Sequence, residues 1–144
     1  MKRYLLPVDG SPSSQYATKV LIERLLASLE NVELHLLNVQ LPINYDVETN
    51  LSSLSVDGPQ QERGEQELAP VRSLLDKAGL SYAYHIKAGN PALTIIDFAQ
   101  SNRIDRIVMG SRNLSPMAGD LMSAVARKVL ENSRLPVEVI PLPH

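Results

Sequence analysis

Short, almost wholly apolar runs alternate along this chain with longer stretches in which apolar residues recur every three or four positions. Tyr4-Leu5-Leu6-Pro7-Val8 stops at Asp9-Gly10, the pattern of a strand covered on both faces that ends in a turn. Ser11 then offers a cap and Pro12 a first helical residue. Ala17, Val20, Leu21, Leu25 and Leu29 keep helical spacing and predict a helix from Pro12 to about Glu30. Val32 to Val39 reads as a second interior strand. Glu62 to Ala78 carries Leu68, Val71, Leu74 and Leu75 against a charged face and stops at Gly79, with Pro70 as a kink or a late start. Tyr82 to Ala88 predicts a third strand. Gly89-Asn90-Pro91 supplies a turn and a cap for a third helix that carries Leu93, Ile96 and Ala99 and ends near Asn102. Ile107-Val108-Met109 is a fourth buried run, ended by Gly110. Asp120 to Glu131 holds Leu121, Val125, Val129 and Leu130 at helical spacing, and Leu135 to Ile140 predicts a fifth strand.

Strands that alternate with helices imply right-handed crossovers, and hence a parallel sheet with helices on both faces. The expected fold is an open α/β sandwich, one domain over residues 1–144. Periodicity fails between Leu41 and Gly58, among Pro, Asn, Asp and Ser, a length that suits a flexible connection.

Composition narrows the partners. With 44% hydrophobic and 21% charged residues the chain suits one packed core. A formal net charge of −2 gives no basic field for phosphate backbones, so a small polar ligand or a protein partner fits better than nucleic acid. The absence of cysteine removes disulfides, thiol nucleophiles and thiolate metal sites and permits a reducing compartment. The opening residues form no export signal and no apolar run reaches membrane length, so a cytoplasmic protein without a membrane partner is expected.

Open parallel sheets hold ligands outside the carboxyl ends of their strands, where the strand order reverses. Here the first strand ends at Asp9-Gly10 and the fourth at Gly110-Ser111-Arg112-Asn113. A polar, glycine-bearing segment follows and leads to a helix whose free amides suit phosphate oxygens. Arg112 could add a charge-assisted contact. The same composition also serves ordinary turns, and Asp9 could simply support the turn before the first helix. Asp9 and Asp120 are the only candidates for holding Mg²⁺, while Asp120 has a simpler role as a helix cap. The phosphate loop, the dinucleotide fingerprint, the H-E-x-x-H pair and the hydrolase elbow are all absent from the sequence. His35, His85 and His144 are scattered rather than spaced as metal ligands, so no catalytic residue is assigned and no enzyme is expected.

Leu5-Leu6-Pro7-Val8-Asp9-Gly10-Ser11, Asp105 to Arg112, and Val129 to Val139 resemble the universal stress protein domain over essentially the whole chain. The resemblance implies a five-stranded parallel sheet in order 3-2-1-4-5 and a homodimer paired through the last strand, with Val137 and Val139 at that edge. It also implies an adenine nucleotide, ATP or AMP, with Mg²⁺ if ATP. Base and ribose would meet Pro7, Asp9, Val39 and Met109. The family's phosphate signature, a Gly, two residues, a Gly, nine residues, a Gly and then Ser or Thr, falls on Gly110, Asn113, Ser123 and Ala124, with Arg112 and Val125 beside it. Only its first position is intact. Asn is the side chain best suited to replace Gly in a left-handed turn, at about 1–2 kcal/mol. Ser123 adds a side chain where backbone would approach phosphate, and Ala124 removes a hydroxyl. Three readings stay open: a regulatory nucleotide-binding stress protein, a homodimer that binds no nucleotide and acts through an unknown regulatory protein partner, and a slow ATPase.

Overall fold

The computed structural model describes residues 1–42, 55–111 and 121–143, with side chains from Ala124 onward in the last stretch. Five strands and four helices alternate: β1 Lys2–Pro7, α1 Pro12–Ala27, β2 Val32–Gln40, α2 Gly58–Lys77, β3 Ala83–Ala88, α3 Pro91–Ser101, β4 Arg106–Ser111, α4 Leu121–Asn132 and β5 Val137–Pro141. The strands form one parallel sheet, as their alternation with helices predicts, in the order β3-β2-β1-β4-β5 that the family resemblance implies.

Alternate side chains of the strands serve two cores. Leu5, Leu37, Ile107 and Met109 pack under Ala92, Ile95 and Phe98 of α3 and Val125 and Val129 of α4. Their neighbours Tyr4, Leu6, Leu34, Leu36 and Val108 pack under Ala17 and Leu21 of α1 and Leu68, Val71 and Leu75 of α2. This period of two, with both faces covered, explains why the strands read as continuous apolar runs.

The ends of the elements carry the differences from expectation. Helix α1 stops at Ala27 rather than near Glu30, because Ser28 is extended and its hydroxyl accepts from the Glu30 amide at 2.9 Å; Leu29, counted above as a helical position, lies outside the helix and is fully exposed. Helix α2 begins at Gly58, four residues before the expected Glu62. There Asp57 accepts from the Gln60 amide at 2.7 Å while the Gln60 side chain accepts from the Asp57 amide at 3.0 Å, a reciprocal capping box. That helix runs on through Pro70 without ending. Of the expected connection between Leu41 and Gly58, residues 43–54 lie outside the described residues.

Candidate functional site

A crevice opens because β1 parts from its two neighbours at different points. Its pairing with β4 covers only Tyr4↔Arg106 and Leu5↔Ile107, whereas its pairing with β2 continues to Pro7↔Leu37, and the Val8 amide still donates to the Leu37 carbonyl at 2.9 Å. Beyond these ends, on the face covered by α3 and α4, lies a cleft of about 410 Å³ including its open mouth. Pro7, Val8 and Asp9 from β1 and its turn, Leu37, Val39 and Leu41 from β2, Pro91 and Ile95 from α3, and Val125 from α4 line it. Among the described residues the walls are apolar and Asp9 is the single ionisable lining group, a composition that suits a flat, mostly apolar ligand with a polar edge.

The turn after β1 fixes Asp9 by local bonds. Asp9 Oδ1 accepts from the Ser11 amide at 3.0 Å and from the Ser14 hydroxyl at 2.8 Å, and the Asp9 amide donates to Ser14 Oγ at 3.2 Å. Ser11 caps α1 by accepting from the Ser14 amide at 3.3 Å. Among the described residues Asp9 Oδ2 has no hydrogen-bond partner. Gly10 closes the turn at φ +82°, a left-handed conformation that a side chain would strain.

Of the residues singled out in the sequence, Pro7, Asp9, Val39 and Val125 line the cleft. Met109 is fully buried in the core beneath it, and Ala124 is exposed on α4. Gly110 faces the opposite side of the sheet, where a Cβ would lie 2.6 Å from the Ser13 carbonyl carbon and closer still to its oxygen; the first turn of α1 can approach β4 only because residue 110 is glycine. Arg112, Asn113 and Asp120 lie outside the described residues, as does the side chain of Ser123. Sequence reading missed Val8, Leu37, Leu41, Pro91 and Ile95. Strand and helix periods carried that signal: Leu37 is two residues from Val39 on the same strand face, and Ile95 is one helical turn from Pro91.

The histidines differ from their sequence reading as well. His35 and His85, scattered in the chain, are brought together across β2 and β3 with His35 Nδ1 and His85 Nε2 3.2 Å apart, and His35 Nε2 contacts Glu33 Oε2 at 3.0 Å. The His35 bond, with Arg3 assisting at 2.8 Å, holds the Glu33 carboxyl below its ordinary range. Burial, then the neighbouring His35 and Lys87, push His85 down from its ordinary value. Phe98 packs on both rings, and no group of three or more metal-binding side chains exists among the described residues.

Fold and cleft together define an open parallel α/β domain with a crevice at the point where the strand order reverses. The universal stress protein family model matches residues 1–141, and the chain belongs to that family. A universal stress protein of Methanocaldococcus jannaschii, MJ0531, is 27% identical over 145 residues, covering 99% of this chain and 83% of that protein. The solved structure of hypothetical protein MJ0577 superposes with a TM-score of 0.75 at 24% identity, covering 99% of this chain and 97% of its own. A universal stress protein family protein of Arabidopsis thaliana, solved with AMP bound, superposes with a TM-score of 0.71 at 19% identity, covering 99% and 93%. At these identities the two structures establish the shared fold.

Proposed function

We propose that the cleft binds an adenine nucleotide as a regulatory ligand, not as a substrate. The observation that carries this reading is the pairing of an apolar slot, walled by Pro7, Leu37, Val39, Ile95 and Val125, with an Asp9 carboxylate oxygen that no described residue engages. A purine ring fills such a slot, and its amino group or a ribose hydroxyl donates to Oδ2. The Arabidopsis relative with AMP bound supports the choice of base. The phosphates would run toward the segment after Gly110, with Arg112, Asn113, Ser123 and Ala124 as the positions the family signature indicates, and Mg²⁺ would accompany ATP. We assign no catalytic step, because Asp9 is already committed through Oδ1 to the turn that orients it.

One observation favours a second reading. Contact with Ser13 fully accounts for the glycine at position 110, so its presence is no argument for a phosphate loop. In that reading the chain works as a cytoplasmic homodimer through β5, an edge strand whose Val137 and Val139 are half-buried. Mass spectrometry of the purified protein, native and then denatured, separates the two. Release of an adenine nucleotide on unfolding, with saturable calorimetric binding of AMP, ADP or ATP, supports the first. An empty dimer with no heat of binding up to millimolar ligand supports the second.

A further inference from the structure

Two buried polar side chains interrupt the apolar pattern of β2 where it reaches the cleft. Val39 faces the cleft, while its neighbours Asn38 and Gln40 point to the other side of the sheet, where α2 covers them almost completely. An apolar pair would pack there without needing hydrogen-bond partners, yet every polar atom of this group is engaged. Asn38 Nδ2 donates to the Val8 carbonyl at 2.9 Å. Gln40 Nε2 donates to Asn38 Oδ1 at 2.7 Å and to Glu67 Oε1 at 2.6 Å, and Gln40 Oε1 accepts from Arg63 Nη1 at 3.2 Å. Helix α2 comes close enough because residue 64 is glycine, where a Cβ would lie 3.0 Å from Asn38 Oδ1.

This ladder ends on one peptide group. The Val8 carbonyl that Asn38 holds and the Asp9 amide that Ser14 holds at 3.2 Å belong to the same planar unit, which is therefore pinned at both ends. Glu67 also floors the following turn, since its Cγ lies 3.1 Å from where a Gly10 Cβ would be. From this geometry we infer that Asn38, Gln40 and Glu67 are positioning residues for the ligand cleft: acting from the opposite face of the sheet, they fix the Val8–Asp9 peptide and thereby aim the Asp9 carboxylate. Asn38 sets the plane of the peptide, Gln40 locks the Asn38 carboxamide, and Glu67 ties both to α2. None of the three lines the cleft.

The inference rests on the nucleotide reading for its consequence and on hydrogen exchange for its geometry, so the two fail separately. Asn38→Leu keeps the branched shape of the side chain and removes the ladder's contact with Val8. Glu67→Gln leaves the buried strand untouched and weakens the far end. Expected for Asn38→Leu are at least tenfold faster exchange of the Asp9 and Gly10 amides and about tenfold weaker AMP binding, with a urea midpoint that does not fall in proportion. Glu67→Gln should show the same pattern at about threefold. Leu75→Ala, which destabilises the same face without touching the ladder, should lower the midpoint while leaving AMP affinity and Asp9 exchange at wild-type values. Unchanged Asp9 and Gly10 exchange in both ladder variants, or affinity loss in Leu75→Ala equal to that in Asn38→Leu, overturns the positioning role. If the wild type binds no AMP, the nucleotide reading falls and the exchange data alone decide the geometry.

Discussion

The two faces of the sheet are made by the same strands and end differently. Facing α3 and α4, the last residues of β1 and β2 stay apolar, and the helices leave them partly uncovered as a cleft. Facing α1 and α2, the alternate residues Asn38 and Gln40 are polar, covered and fully bonded, and Gly110 is pressed against Ser13. One face is left open as a cleft while the other is closed with directional bonds that hold the strand ends in place. A period of two lets β2 do both, with Val39 on one side and Asn38 and Gln40 on the other.

The comparison can be broken from the closed face first. Gly110→Val forces a side chain into the Ser13 backbone and is expected to cost about 3 kcal/mol or more in urea unfolding, so any loss of ligand binding in that variant reflects packing. Leu68→Ala under α2 and Ile95→Ala under α3 each empty a fully covered site and should cost about 2–5 kcal/mol. The faces then separate in calorimetry: Ile95→Ala weakens AMP binding because Ile95 lines the cleft, and Leu68→Ala does not. Asp9→Ala removes bonds to Ser11 and Ser14 and should cost about 1–2 kcal/mol by the same unfolding assay, together with loss of saturable AMP binding.

The smallest expected effect is on pH. Because burial and neighbouring charge lower the His85 pKa from its ordinary 6.5, the folded chain holds fewer protons there than the unfolded chain. Stability therefore rises with pH through this window, and the contribution present above about pH 6.5 is lost as pH falls below it. His85→Asn should flatten the wild-type slope of unfolding free energy as pH falls below about 6.5, with AMP binding at pH 7.5 unchanged.

Apolar runs and helical spacing made the five strands, four helices and their parallel arrangement legible, because the inner strands β1, β2 and β4 are covered on both faces and their runs are mostly apolar, while the half-exposed edge strand β3 showed as alternation. Local hydrogen bonding decided what they did not reveal. The Asp57 and Gln60 box starts α2 early, and the Ser28 hydroxyl turns the chain out of α1. Four of the nine described lining residues were named beforehand: Asp9 from the end of the first strand, and Pro7, Val39 and Val125 from the family resemblance. Pro91 and Ile95 were not, since only the packing of α3 brings them over β2. The same holds for the His35 and His85 pair, fifty residues apart in sequence and joined by strand register alone.

The central claim is that the cleft beyond β1 and β2 holds an adenine nucleotide, and an NMR titration of the labelled protein with AMP tests it most directly. Saturable shifts confined to the signals of Val8, Asp9, Val39, Ile95 and Val125, with the Lys77 end of α2 unmoved, are the predicted result. Spectra unchanged up to millimolar AMP, or saturable shifts that map elsewhere on the sheet, would contradict it.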